Sequence, residues 1–202
     1  MKTLIIIDMQ NDFCPGGTLE VKEGDQIIPV INAIQDDFEL VIATQDWHPE
    51  NHGSFASNHP DKQVFEKTDL DGLEQILWPD HCIQGTKGAE FHPDLEMKRM
   101  EAIFRKGMDP MIDSYSGFYD NGHRKSTGLA GYLRSRGASE LYFCGLAADY
   151  CVNYSLRDAL EEGFKTFLIA DGTKAIDPGG FNKIQKELEA RGVNSIFSSE
   201  VY

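Results

Sequence analysis

The chain has 202 residues and a mass of 22.7 kDa, the size of one ordinary domain with room for a substantial core, so residues 1–202 are expected to form a single unit. Its formal net charge of −14 and pI near 4.7 exclude a surface built for nucleic acid or an anionic membrane, which needs clustered Lys and Arg; the expected partner is a small molecule that is not a polyanion. No stretch approaches the roughly 20 apolar residues that span a bilayer, and with four cysteines, Cys14, Cys82, Cys144 and Cys151, and no export signal, the expectation is a cytoplasmic protein with reduced thiols.

The first apolar run, Leu4-Ile5-Ile6-Ile7, reads as a strand over 3–7 that stops at Asp8. Ile27, Ile28, Ile31 and Ile34 then recur at helical spacing and predict a helix over 26–38. Strands follow at 40–44 and 102–105, a helix at 127–136, a strand at 141–144, a helix at 150–162, a strand at 165–170, a helix at 181–191 and a last strand at 194–197. Gly137, Gly163 and Gly192 stand just past three of these helices, where a left-handed residue ends a helix. Near-continuous apolar strands alternating with helices imply a three-layer α/β/α domain, a doubly wound, six-stranded, mainly parallel sheet covered on both faces. Two segments, about 46–98 and 107–126, carry no regular pattern and are long enough to suggest function.

In such sheets ligands bind beyond the carboxyl ends of the strands, and the chemistry-bearing residues gather there. Asp8 closes the first strand, where desolvation raises a carboxyl pKa. After the second strand, Asp46-Trp47-His48-Pro49-Glu50-Asn51-His52 offers the Asp46 carboxylate and the imidazoles of His48 and His52, with His81 downstream as a fourth ligand. Three nitrogens and one oxygen suit Zn²⁺, with Fe²⁺ or Mn²⁺ admissible; solvated loop residues are the alternative. Lys106 follows the third strand, although Arg105 beside it is an equal candidate on residue chemistry alone. Cys151 comes after the fourth strand in Gly145-Leu146-Ala147-Ala148-Asp149-Tyr150-Cys151. There Asp149 reads as an N-cap that puts the thiol in a first helical turn, whose dipole favours the thiolate. Amide N–H groups of that turn, notably those of Ala147 and Cys151, could receive an oxyanion. A thiol, a carboxylate and an ammonium at neighbouring strand ends make a set for acyl transfer.

Together with Asp8-Met9-Gln10-Asn11-Asp12-Phe13, Gln45-Asp46-Trp47-His48-Pro49, Trp78-Pro79-Asp80-His81-Cys82, Phe104-Arg105-Lys106-Gly107 and the segment ending in Cys151, these features resemble the nicotinamidases of the isochorismatase-like cysteine hydrolase family. The resemblance spans essentially the whole chain. It implies a triad of Asp8, Lys106 and Cys151, metal ligands Asp46, His48, His52 and His81, and a pyridine ring held between Phe13 and Trp78 with Tyr115 in the pocket. It also implies a cis peptide before Ala147 and an oxyanion hole from the N–H groups of Ala147 and Cys151. The implied activity is hydrolysis of nicotinamide to nicotinate and ammonia through a thioester, in NAD salvage, with one divalent metal ion as cofactor. The rivals are an amidohydrolase acting on a carbamoyl or ureido compound and, from another class, a non-catalytic metal-binding or redox-sensing protein. A homo-oligomer is compatible with the sequence and is not specified by it. Met9 departs from the Val or Leu common in related enzymes, and Met108-Asp109-Pro110 lies in a variable loop; neither touches the triad.

Overall fold

A chain whose first strand is apolar at every position from Leu4 to Ile7 must cover both sides of that strand, and the fold does so. In the computed structural model, which describes residues 1–201, strands β1 (Lys2–Ile7), β2 (Leu40–Asp46), β5 (Met100–Lys106), β6 (Glu140–Leu146), β7 (Lys165–Lys174) and β8 (Asn194–Ile196) form one six-stranded sheet in the order β5-β2-β1-β6-β7-β8. Every neighbouring pair in it is parallel. Because side chains alternate across a strand, Leu4 and Ile6 pack on one face with Ile31 and Ile34 of α1 (Ile28–Ile34). Ile5 and Ile7 pack on the other with Leu129 and Leu133 of α2 (Leu129–Ser135), Leu156 of α3 (Asn153–Glu161) and Leu188 of α4 (Pro178–Ala190). The three layers expected from the sequence are present.

The departures have local causes. The first helix is regular only over Ile28–Ile34, with tight 3-10 turns at Gly24–Ile27 and Gln35–Asp37 on either side; Pro29 lacks an N–H and belongs in a first turn, so the regular helix starts beside it. Helix α4 begins three residues earlier than predicted, because Asp177 caps it by accepting the Gly179 N–H at 3.0 Å and Pro178 occupies the first turn. The segment 46–98 contains an unforeseen antiparallel hairpin, β3 (Lys67–Leu70) and β4 (Leu73–Ile76). Gly137, Gly163 and Gly192 all have positive φ at helix ends, as expected. No helix among the described residues is long and apolar enough to cross a membrane, and the four cysteines are free.

The strand order reverses at the centre of the sheet. The chain runs outward through β1, β2 and β5, then returns to β6 beside β1. The carboxyl ends of β1, β2, β5 and β6 therefore open onto one crevice, where such folds bind ligands.

Candidate active site

Parallel register sets the charged centre. Asp46 and Lys106 are direct partners on β2 and β5 and both end their strands, while Asp8 follows the last residue of β1 with φ 45, a left-handed conformation that Asp tolerates better than most residues. All three are buried. Alternation along β5 also separates the two cations the sequence offered: Lys106 points inward at 2 % exposure, whereas Arg105 lies over the Trp47 ring at 3.9 Å.

The Lys106 ammonium stands 2.9 Å from Asp8 Oδ2 and 2.9 Å from Asp46 Oδ1, donates to the Ser114 carbonyl at 2.9 Å, and lies 3.5 Å from Cys151 Sγ. Asp8 Oδ1 accepts the Thr44 hydroxyl at 2.6 Å. Burial raises the Asp8 carboxyl, and Lys106 brings it back only in part. Burial likewise would lower Lys106, yet Asp46 and Asp8 hold its ammonium well above the usual range. Asp46 goes the other way: burial would raise it, but His48 and Lys106 keep it well below ordinary carboxylates. The two carboxylates thus meet one lysine with opposite tendencies, one able to take a proton and one fixed as an anion.

Cys151 differs from the sequence expectation in two respects. It lies in a wide π-type turn, Ala148–Val152, ahead of the regular helix, and the Asp149 side chain does not cap that turn. Asp149 instead accepts the N–H groups of Ile176 at 3.0 Å and Asp177 at 2.8 Å, tying the end of β7 to the cysteine turn. Nor is the thiolate favoured at rest. Burial pushes the thiol well above its usual value, with Lys106 opposing and Asp8 and Asp46 adding to the rise, so the sulfur keeps its proton until a base removes it. The peptide between Leu146 and Ala147 is cis, in agreement with the family pattern. Gly145 is required just before it, since a Cβ there would sit 2.0 Å from the Ile7 carbonyl oxygen.

Three imidazoles converge beside Asp46. His48 Nε2 is 3.2 Å and His81 Nε2 is 3.7 Å from Asp46 Oδ2, and the His48 ring centre lies 4.3 Å from that of His52 and 4.9 Å from that of His81. Each ring is oriented through Nδ1: His48 donates to the Gly107 carbonyl at 2.8 Å, His81 to the Pro79 carbonyl at 2.8 Å, and His52 pairs with the Ser54 hydroxyl at 2.7 Å. The Nε2 atoms of His48 and His52 are buried, that of His48 facing only the Asp46 carboxylate and that of His52 without a hydrogen-bond partner among the described residues. Burial also lowers His52 to about 4, leaving a neutral imidazole. Orphaned, convergent nitrogens with their far sides held by carbonyls and a hydroxyl are the arrangement that a divalent cation completes. Gly107 cannot carry a side chain here, because a Cβ would come 2.3 Å from His48 Cε1 at a φ of +67.

Beside this cluster is a narrow cleft with about 20 Å³ of accessible volume, walled by Phe13, Leu19, Asp46, Trp78, His81, Asp113, Tyr115, Ala147, Tyr150, Cys151 and Ile176. It brings the residues singled out as ring-binding, Phe13, Trp78 and Tyr115, to the cysteine and the histidines. Several supporting residues went unnoticed in the sequence. Gln10 clamps Asp46 by accepting its N–H at 2.8 Å and donating to its carbonyl at 2.7 Å. Asp12 accepts the Cys82 N–H at 2.7 Å and so steers the loop that carries His81. Gln75 on β4 points its amide at Asp113 Oδ2 and the Tyr115 hydroxyl, both at 3.0 Å, and that hydroxyl also accepts the Trp78 indole N–H at 3.1 Å. Gln10 and Asp12 lie within the first motif and could have been found there; Gln75 carries no sequence signal.

The isochorismatase domain model matches residues 2–196. Among curated proteins, the chain is similar to a nicotinamidase of Acinetobacter baylyi, with 47 % identity over 98 % of this chain and 93 % of that protein. Among solved structures, it is similar to a nicotinamidase/pyrazinamidase of Acinetobacter baumanii, with a TM-score of 0.96 and 48 % identity over 100 % of this chain and 98 % of that one. It is also similar to a pyrazinamidase of Pyrococcus horikoshii in complex with zinc, with a TM-score of 0.81 and 38 % identity over 97 % of this chain and 98 % of that one.

Proposed function

This chain belongs to the isochorismatase domain family, and from that membership and the chemistry of the cleft we propose that it hydrolyses nicotinamide to nicotinate and ammonia through a thioester on Cys151, a reaction of NAD salvage. The observation that carries the reading is the Lys106 ammonium lying 2.9 Å from Asp8 and 3.5 Å from the Cys151 sulfur on the wall of an aromatic cavity.

A carboxamide on a flat ring would lie in that cleft between Phe13 and Trp78 with Tyr115 beside it, a reading supported by all three residues lining it. Asp46, His48, His52 and His81 would hold a divalent cation, for which Zn²⁺ is the proposed ion and Fe²⁺ or Mn²⁺ the alternatives given the mixed nitrogen and oxygen donors. When bound, that ion supplies a Lewis-acid anchor for the ring nitrogen.

Asp8 is the base. Its raised pKa lets it take the Cys151 proton as sulfur attacks the carboxamide carbon, and Lys106 stabilises both the carboxylate and the nascent thiolate. The oxyanion is received by the N–H groups of Ala147 and Cys151. Asp8 returns its proton to the departing amine as the C–N bond breaks, and ammonia leaves a thioester behind. Water then attacks the thioester carbon, giving a proton to Asp8; the C–S bond breaks, the sulfur regains that proton, and nicotinate is released.

Purified protein supplied with nicotinamide is expected to release one ammonia per nicotinate, and Cys151→Ala to abolish the release while leaving the far-UV and near-UV circular dichroism unchanged. Near-normal turnover by Cys151→Ala would remove the sulfur from the reaction.

A further inference from the structure

Away from the cavity, the long segment after β5 meets α3 at a second group of metal-type ligands. Ligand atoms of His123, Asp158 and Glu161 all lie within 4.8 Å of one another. His123 Nε2 stands 3.1 Å from Asp158 Oδ1, and its ring is stacked on Tyr119 at 4.9 Å between centres with 18° between planes. The backbone there is in the left-handed region, φ 53, where histidine is one of the residue types found more often. Asp158 is the telling member. Its side chain is 6 % exposed, and its second oxygen, Oδ2, is buried with no hydrogen-bond partner among the described residues. Burial raises this carboxyl, Ser116 and His123 offset the rise only in part, and Glu161 and Glu162 add to it.

Ser116 and one imidazole are a thin counterweight for a buried carboxylate with Glu161 on its own helix and Glu162 at that helix's end. Of those, Glu162 is engaged by Tyr119 and Arg134, and Glu161 meets Arg191 at 3.1 Å through one oxygen, which leaves a carboxylate able to share itself with a cation. We infer that His123, Asp158 and Glu161 form a second divalent-cation site, separate from the Asp46 cluster. One imidazole and two carboxylates suit a borderline ion of the Zn²⁺ or Mn²⁺ type. Its position matters because it joins the segment bearing Ser114 and Tyr115 to α3, the helix that continues the Cys151 turn. A cation there would fasten one wall of the cavity to the element that presents the sulfur.

The test is metal stoichiometry on tag-free protein whose Asp46 cluster is already loaded. Titration with Zn²⁺, followed calorimetrically and by metal analysis after dialysis, is expected to reveal one further equivalent per chain. The melting temperature should rise as that equivalent fills, because binding favours the folded state. His123→Ala and Glu161→Gln, both at exposed positions, should weaken the second equivalent by at least about tenfold and abolish the melting shift. Both should keep the first equivalent and the turnover measured without added metal. Asp158→Asn serves as a third variant, its retained fold checked by circular dichroism. The proposal is overturned if the loaded protein takes up no further Zn²⁺, or if the second equivalent persists with unchanged affinity in the His123→Ala/Glu161→Gln double variant. Neither result depends on which amide the chain hydrolyses.

Discussion

Two carboxylates share one ammonium at the bottom of the cleft, and the direction in which each is pushed decides what it can do. Asp46 is fixed as an anion, so it can bind a cation and cannot act as an acid; Asp8 is raised by burial and can cycle a proton. This predicts the acid limb of the pH–rate profile. In the proposed reaction Asp8 must be ionised to take the thiol proton, so kcat/KM should fall as pH decreases through the Asp8 pKa, with a midpoint above the 3.8 of an ordinary aspartate. A profile that stays flat down to pH 4 would assign the base elsewhere. A second prediction concerns a residue with no chemistry of its own. Gly107→Ala would place a methyl 2.3 Å from His48 Cε1 and 2.6 Å from His48 Nδ1, at a backbone angle that favours glycine. His48 must then move, and bound metal after desalting together with turnover should both drop by about tenfold or more. A variant that keeps a full complement of metal would show that His48 is not held where its ring now lies.

At the scale of elements, the small hairpin reaches the cavity through a single side chain. Gln75 on β4 donates to Asp113 and to the Tyr115 hydroxyl, which in turn is met by Trp78. Gln75→Leu keeps the volume and removes the donors, leaving Asp113 Oδ2 without its amide partner; a lost buried partner of this kind costs about 1–3 kcal/mol. The aromatic wall should loosen, raising KM for nicotinamide more than it lowers kcat. An unchanged KM would mean that Trp78 and Tyr115 are held by packing alone. The hairpin also shows where sequence reasoning ran short. The six strands of the main sheet were legible as short runs rich in apolar residues, buried throughout or nearly so in β1, β2 and β6 and interrupted by exposed or half-buried positions in β5, β7 and β8. Lys67–Leu70 and Leu73–Ile76 are rich in charge and half exposed, so no apolar period marks them. The available signal was the Asp71-Gly72 pair, both residues with positive φ as a tight two-residue hairpin turn requires. Asp8 and Asp46 could be placed at strand ends from the strand pattern, whereas Lys106 was separated from Arg105 only by its burial. The Asp149 cap could not be judged that way, since its true partners, Ile176 and Asp177, are more than 25 residues distant and meet it only once β7 lies beside β6.

For the molecule as a whole, the parallel sheet supplies rigid positions for the groups proposed to react, while the irregular segments supply the imidazoles and the walls proposed to hold the ring. Asp8, Asp46, Lys106 and Cys151 are fixed by β1, β2, β5 and the turn after β6, so the acid–lysine–thiol arrangement does not depend on the histidines. His48, His52 and His81 sit on the segment between β2 and β5, held by contacts to Gly107, Ser54 and Pro79, with the His52 Nε2 otherwise unpaired among the described residues and the His48 Nε2 facing only Asp46. Removing the cation should therefore separate two properties. Chelation leaves buried polar atoms unsatisfied, at about 1–3 kcal/mol each, and withdraws the linkage term RT ln(1 + [L]/Kd), so the melting temperature should fall and recover on adding back Zn²⁺. The ring loses its anchor, so KM should rise. The Cys151 environment is set by Lys106, Asp8 and Asp46, two of which are not ligands, so alkylation of Cys151 by iodoacetamide should keep most of its rate. If chelation instead abolishes alkylation while leaving KM and the melting temperature unchanged, the cation acts on the sulfur rather than on the substrate, and the division of labour between sheet and loops drawn from this architecture is wrong.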